Sequence, residues 1–340
     1  MKNKRYMKKW AERAVFLLTA GMMLAGCQKS DQGNIRELRI REETSRMEEW
    51  QEKLEQDDGQ ETLTANAIRG LNVVKDGETV FEVSYEPKTY KEAFDFWNIA
   101  VPYESMVSVD TESLYDLFET VAQLPCIPVS GISSEEAGIE GSQTSLFIAY
   151  NGEQREGEKG GADPTKARKI LVGNQDGNGN YYVEIEGNDS ICQVNQLWLD
   201  TILELDPYQY ILKIPFLAGI DTVEQVKVSI GDDTLLLQKT EDTCKIGKEK
   251  VERSEYNAFY NQLLSVLVSG EVEKKGVDPG QRKPVLTMQF YRNTEDASDV
   301  EVTYYEYNEE YMSINVNGKE FFLAERQDVE NLQQLIKEHL

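Results

Sequence analysis

Histidine is almost missing from this 340-residue chain: the only one is His339, beside the last residue. A terminal side chain is poorly held for preorganised chemistry. Its position excludes Ser-His-Asp and Cys-His triads, HExxH zinc sites and histidine-rich metal clusters. Neither GxSxG nor SxxK occurs, which removes the two commonest serine-nucleophile signatures. GxGxxG and Walker A loops are absent too, against nucleotide cofactors. No catalytic, cofactor-binding or metal-binding residue is assigned, and a non-enzyme is expected.

Positive charge is scarce as well. Lys and Arg number 36 against 61 Asp and Glu, for a net charge of -25. The first 26 residues hold six Lys/Arg and one Glu, so without this +5 the remaining chain stands at -30. Such a surface repels phosphate backbones, which excludes nucleic acid as a partner. The 61 carboxylates leave a paired-acid hydrolase site open by count, but no spacing singles out a pair.

Cysteines number only four, with no CxxC or metal-type spacing. Cys126, Cys192 and Cys244 each lie in an apolar neighbourhood and are expected as buried free thiols; one disulfide is possible, without support from spacing.

A long apolar run occurs once, from Ala14 to Met23, after the basic start Lys2, Lys4, Arg5, Lys8, Lys9 and Arg13. It is too short to span ~30 Å of hydrocarbon as a stop-transfer helix. The order of basic start and short apolar run is that of a secretory signal. It ends in Leu24-Ala25-Gly26-Cys27, which resembles the lipobox of bacterial lipoproteins. That resemblance implies diacylglycerylation of the Cys27 thiol, cleavage before it, and a lipid-anchored N-terminus on the extracytoplasmic face of a bacterial cell membrane. More than one acyl chain gives stable anchoring.

Five segments are expected: a lipoprotein signal peptide (1–26), a lipid-anchored charged stalk (27–65), a first module (66–205), a linker (206–220) and a second module (221–340). The stalk carries i,i+4 pairs Glu37/Arg41, Glu42/Arg46 and Glu49/Lys53 and a thin apolar stripe of Ile35, Leu38, Met47, Trp50 and Leu54. A partly helical stalk ending near Asp57-Asp58-Gly59 is expected; docking through Trp50 and Leu54 on a partner is the alternative.

The rest is expected to be two copies of one α+β module, each a mainly antiparallel sheet with packed helices. Ile68, Leu71, Val73, Val80 and Phe81 match Val223, Val226, Val228, Leu235 and Leu236, all 155 residues apart. Trp97-Asn98-Ile99 matches Cys244-Lys245-Ile246. The spacing of Leu114, Leu117, Phe118 and Val121 predicts an amphipathic helix, matched 142 residues on by Tyr256, Phe259, Tyr260 and Leu263. Ser145–Tyr150 is aligned with Val285–Phe290. Asn180–Val183 is aligned with Glu310–Ser313, 130 residues on. Leu199, Ile202 and Leu205 match Val329, Leu332 and Leu335 at the same spacing.

Two further motifs have structural explanations. Asp176-Gly177-Asn178-Gly179-Asn180 starts like a calcium loop, but Tyr181 and Gly187 stand where Gly and Glu belong, so a hairpin turn is expected. Tyr304, Tyr305, Tyr307, Tyr311, Phe321 and Phe322 are expected as strand and core aromatics.

Trp97, the helix after Val109-Asp110, the Ala137-Gly138-Ile139 turn, Ile170-Leu171-Val172-Gly173 and Gly179-Asn180-Tyr181-Tyr182 resemble the bacterial domain of unknown function 4340. The resemblance spans roughly residues 66 to 340; the second copy lacks the last two elements in that form. It implies a membrane-anchored lipoprotein accompanying an ABC-type transporter, with no catalytic residues to carry over. The expected function is thus a non-enzymatic scaffold or accessory subunit of a membrane complex. The alternatives are a solute-capturing lipoprotein and an envelope hydrolase using carboxylates.

Overall fold

The computed structural model describes residues 47–59, 61–87, 96–152, 163–188, 190–276, 280–293 and 299–340. The signal segment, Cys27 and the stalk through residue 46 lie outside them.

The described chain begins with helix α1 (Met47–Lys53) and strand β1 (Glu55–Gln56). The first half then holds β2 (Ile68–Lys75), β3 (Glu78–Tyr85), β4 (Trp97–Val101), helix α2 (Thr111–Ala122), β5 (Ile127–Pro128), β6 (Thr144–Tyr150), β7 (Lys166–Gln175), β8 (Asn180–Ile185), β9 (Ile191–Asn195) and helix α3 (Gln196–Leu203). The second half holds β10 (Val223–Ile230), β11 (Asp233–Lys239), β12 (Cys244–Ile246), β13 (Glu249–Val251), helix α4 (Arg253–Leu263), β14 (Gly270–Glu271), β15 (Leu286–Arg292), β16 (Val300–Glu306), β17 (Tyr311–Val316), β18 (Lys319–Glu325) and helix α5 (Arg326–Lys337).

The fold is α+β, with two nine-stranded sheets. One runs β4-β3-β2-β6-β7-β8-β9-β5, with β1 added on β7. The other runs β13-β12-β11-β10-β15-β16-β17-β18-β14. Among the described strands only β1 and β7 pair in parallel.

The two orders correspond strand for strand, β13 being the one addition at an edge. A bulge recurs at the matching place: register shifts between Ile68 and Gly70 against β6, and between Val223 and Gln225 against β15. Ile148 lies opposite Leu71, and Phe290 opposite Val226, so Ile148 corresponds to Phe290. The alignment of this strand from sequence was out by two residues, an even slip that leaves faces unchanged. Val183 corresponds to Ile314 through Val172 and Tyr304, so the β8 alignment was out by one, which exchanges the faces. Bulges in β7–β8 and β17–β18 account for that slip.

The helices form where apolar periodicity and caps agree. The Asp110 carboxylate accepts from the backbone N–H of Glu112 and Ser113 and starts α2. Leu114, Leu117, Phe118 and Val121 are buried, as are Tyr256, Phe259, Tyr260 and Leu263 of α4. A single core cluster contains these faces and the inner faces of both sheets.

Residues 206–220, expected as a linker, are bonded to both halves. Tyr210 O accepts from Asp110 N at 2.9 Å, and Leu212 N donates to Ser108 O at 2.8 Å. Lys213 O accepts from Val268 N at 2.9 Å, and Ala218 O from the Tyr260 hydroxyl at 2.6 Å. Ile211, Phe216 and Ala218 are buried in the shared core.

The described end of the expected stalk is also part of the body. Met47 and Trp50 are buried with Phe147, Ala149 and Ala167 on the outer face of the first sheet, and Leu54 packs beside them. Gly70 lies beneath them: a Cβ there would come within 2.5 Å of Met47 Sδ and 2.8 Å of Trp50 Cζ3. So Trp50 and Leu54 dock on this chain itself. Downstream, Arg168 Nε donates to Asp57 Oδ2 at 2.8 Å, and a second bond runs from its Nη2. Lys166 pairs with Glu61.

The cysteine expectation also needs correction. Cys126 and Cys192 form a disulfide, with Cα atoms 5.3 Å apart, and of these three cysteines Cys244 is the buried free thiol. Pairing of β5 with β9 brings the two together, which no local spacing shows. The bond closes a separation of 66 residues. Loop-closure entropy makes that about 4 kcal/mol.

Two outcomes are expected. Leu117→Ala should lower unfolding free energy by roughly 2–5 kcal/mol, as should truncation of its counterpart Phe259, measured by chemical denaturation. Acid should loosen the strap of residues 47–59. Burial raises the Asp57 carboxyl, but the hydrogen bonds and charge of Arg168, with Tyr150 beside it, outweigh this and hold it below its ordinary value. A depressed carboxylate stabilises the fold above its unfolded pKa of about 3.9 and loses that contribution as pH falls through the lower folded value. Exchange of the 47–59 amides, corrected for intrinsic rate, should accelerate between about pH 5 and about pH 3. Unchanged protection over that range would contradict it.

Candidate functional site

Buried polar and aromatic groups meet between the two halves. The site starts from the sequence Val101-Pro102-Tyr103-Glu104-Ser105. The Val101–Pro102 peptide is cis, and Glu104 and Ser105 both adopt positive φ, at 49° and 65°. Two successive non-glycine residues in that region cost energy and persist only where surroundings impose them. Here the imposing contact is Tyr103, which is fully buried. Its ring lies 5.9 Å from that of Phe321 and 5.3 Å from that of Phe322, both on β18. Its hydroxyl donates to Glu271 Oε1 on β14 at 2.7 Å. Lys275 bonds the same Glu271 oxygen at 2.7 Å, and Lys319 pairs with Glu104 at 2.9 Å.

The far side of the seam is closed by the segment that joins the halves. Tyr208 packs against Phe322 with ring centres 6.4 Å apart. Lys213 bonds Tyr208 O, with its Nζ 3.4 Å from the centre of the Tyr208 ring. Burial pushes the Lys213 ammonium below its ordinary pKa, against the opposing pull of Asp206, Glu271 and Asp110. Burial and then the Glu271 hydrogen bond drive the Tyr103 phenol far upward, so it stays a protonated donor. The arrangement is a lock: the Tyr103–Glu271 hydrogen bond and the Glu104–Lys319 ion pair cross the seam, and Lys275 and Lys213 brace it from either side. A charged hydrogen bond of this kind contributes about 1.5–3 kcal/mol.

The residues singled out from sequence fall elsewhere. Cys27 lies outside the described residues. The His339 ring lies 4.6 Å from the Phe259 ring, with Nδ1 3.1 Å from Leu335 O. Asp176 shapes the β7–β8 turn, accepting from Asn178 N, Asn180 N, Asn180 Nδ2 and Gln193 Nε2 at 2.7–3.1 Å. Tyr304 is core, whereas Tyr305 lies under the Arg282 guanidinium at 4.9 Å. Phe321 and Phe322 receive Tyr103, a role the sequence did not indicate. Among the described residues no group of three or more His, Cys, Asp and Glu is placed to hold a metal ion. No helix among them is long and apolar enough to cross a membrane.

No protein-family model matches the chain, and neither a curated protein nor a solved structure matches it.

The lock makes a direct prediction. Tyr103→Ala should cost roughly 3–5 kcal/mol and split or broaden the calorimetric transition. Tyr103→Phe keeps the ring and should cost about 1.5–3 kcal/mol with one transition retained. Equal melting of Tyr103→Ala and the parent protein would refute the assignment.

Proposed function

We propose that this chain is a membrane-anchored, extracytoplasmic lipoprotein built from two copies of one α+β module, acting as a non-enzymatic scaffold or accessory subunit of a membrane complex. The anchor is Cys27, behind Leu24-Ala25-Gly26 and its apolar run. The observation that carries the compartment is the Cys126–Cys192 disulfide, since such bonds persist in oxidising surroundings outside the cytoplasm. Duplication is supported by matching strand orders and by the bulge shared at the same position. The scaffold role is supported by the seam, where Tyr103 bonded to Glu271 and Glu104 paired with Lys319 hold the halves together. An ABC-type transporter as the complex rests on the resemblance to the domain of unknown function 4340, and is an inference by analogy.

Mass spectrometry of the mature N-terminus tests the anchor. The expected species starts at Cys27 and carries acyl chains, and Cys27→Ser leaves the protein unprocessed or shed from the membrane. A native protein that starts elsewhere and carries no lipid would end this reading. Co-purification from detergent-solubilised membranes tests the scaffold role. A defined transporter complex is expected to accompany the wild-type chain in constant proportion.

A further inference from the structure

We propose that the β5–β9 edge of the first half, together with Leu197, is the surface on which a separate protein seats an aromatic-bearing loop. The inference rests on the two-copy reading above and names where the complex would be contacted.

The edge has the composition of an interface core. Pro125, Cys126, Ile127 and Pro128 are four successive apolar residues that are all exposed. Ile127 is 66% exposed, and Leu197, in the first turn of α3 after β9, is 81% exposed. They are the two most exposed large hydrophobic side chains among the described residues. A run of this kind on a surface signals a binding site. No charged residue occurs from Val121 to Ser134 or from Ser190 to Leu199, in a chain that is 29% charged. Depletion of charge is the compositional mark of interface centres.

The edge is also rigid. The disulfide fixes Cys126 to Cys192, and Val129 N donates to Ile191 O at 2.8 Å. A surface held in one conformation loses little entropy on binding. Pro128 has no N–H to offer, so a partner docks by side chains and not as an added strand.

The second half shows what covers this edge. Cys192 corresponds to Phe322, and Pro128, opposite Cys192, corresponds to Glu271, opposite Phe322. Phe322 and Glu271 are the residues that receive Tyr103. The contact between the halves is therefore head to tail, and such a contact leaves one tail surface open. The open surface is β5–β9, and the chemistry suited to it is an aromatic side chain on a loop. The matching loop of the second half does not supply it. At the place matching Val101–Ser105, the second half has the β12–β13 hairpin with Gly247, Lys248, Glu249 and Lys250, and no aromatic residue. A lipid surface is disfavoured because the edge offers no Lys or Arg to headgroups.

The test uses the full, tethered chain in its own membrane, with Ile127→p-benzoylphenylalanine as a photo-crosslinking probe. Irradiation should give one adduct with a different protein, and sequencing of the crosslinked peptide should place it in a loop with an aromatic residue. Adding Leu197→Asp should lower the adduct yield at least tenfold with an unchanged thermal melt. The same probe at Tyr307, exposed on the second half, should not give that adduct. Crosslinking only to lipid, only to another copy, to nothing, or with a yield indifferent to Leu197→Asp would overturn the proposal. If a membrane complex still co-purifies in those cases, the scaffold reading stands and only this surface is wrong. If none co-purifies, both fall.

Discussion

Tyr103 leaves the first sheet and is buried against Phe321, Phe322 and Glu271 of the second, and through it the core runs from one sheet to the other. The cost is visible next door, in the positive φ of Glu104 and Ser105. A loop bent in this way is held by what it touches. Around it the joining segment binds backbone groups of both halves, and its Ile211, Phe216 and Ala218 are buried in the same core as the sheets. With the seam closed, the two sheets share one hydrophobic cluster instead of each ending in an exposed face.

The same edge is finished differently in the two halves. In the second, β14 is covered by Tyr103 and its neighbours. In the first, β5 follows the disulfide-bonded Cys126, ends on Pro128, and its apolar side chains face outward. Outer faces differ in the same manner. Phe147, Ala149 and Ala167 take the strap of residues 47–54, whereas Gln289 and Tyr291, at the places of Phe147 and Ala149, bond each other at 3.3 Å. Two halves of one strand order have thus been given different surfaces.

Much of this order was legible in the chain because it rests on local patterns. Helical spacing marked Leu114–Val121 and Tyr256–Leu263, and the β2 and β10 runs were aligned residue by residue, since apolar periodicity is written locally. The β8 register slipped by one because bulges leave no sequence signal of their own, and the β6 register by two because an even slip keeps the same apolar alternation. The disulfide, possible from sequence but without support there, was not assigned because its partners meet only through sheet pairing, 66 residues apart. Tyr103 was missed for the same reason: an aromatic after a proline has no periodic neighbours, and its role is set by residues more than 160 positions away. Trp50 was noticed, but nothing in sequence said that its docking surface lay in Gly70 and β6 of its own chain.

With the seam closed, both sheets should unfold as one body, which native-state hydrogen exchange over a denaturant series reads out. The central strands of both halves, β2 and β6 with β10 and β15, should exchange last and with the same free energy, equal to that of global unfolding. Exchange of one half through its own lower-energy opening, while the other stays protected, would contradict it.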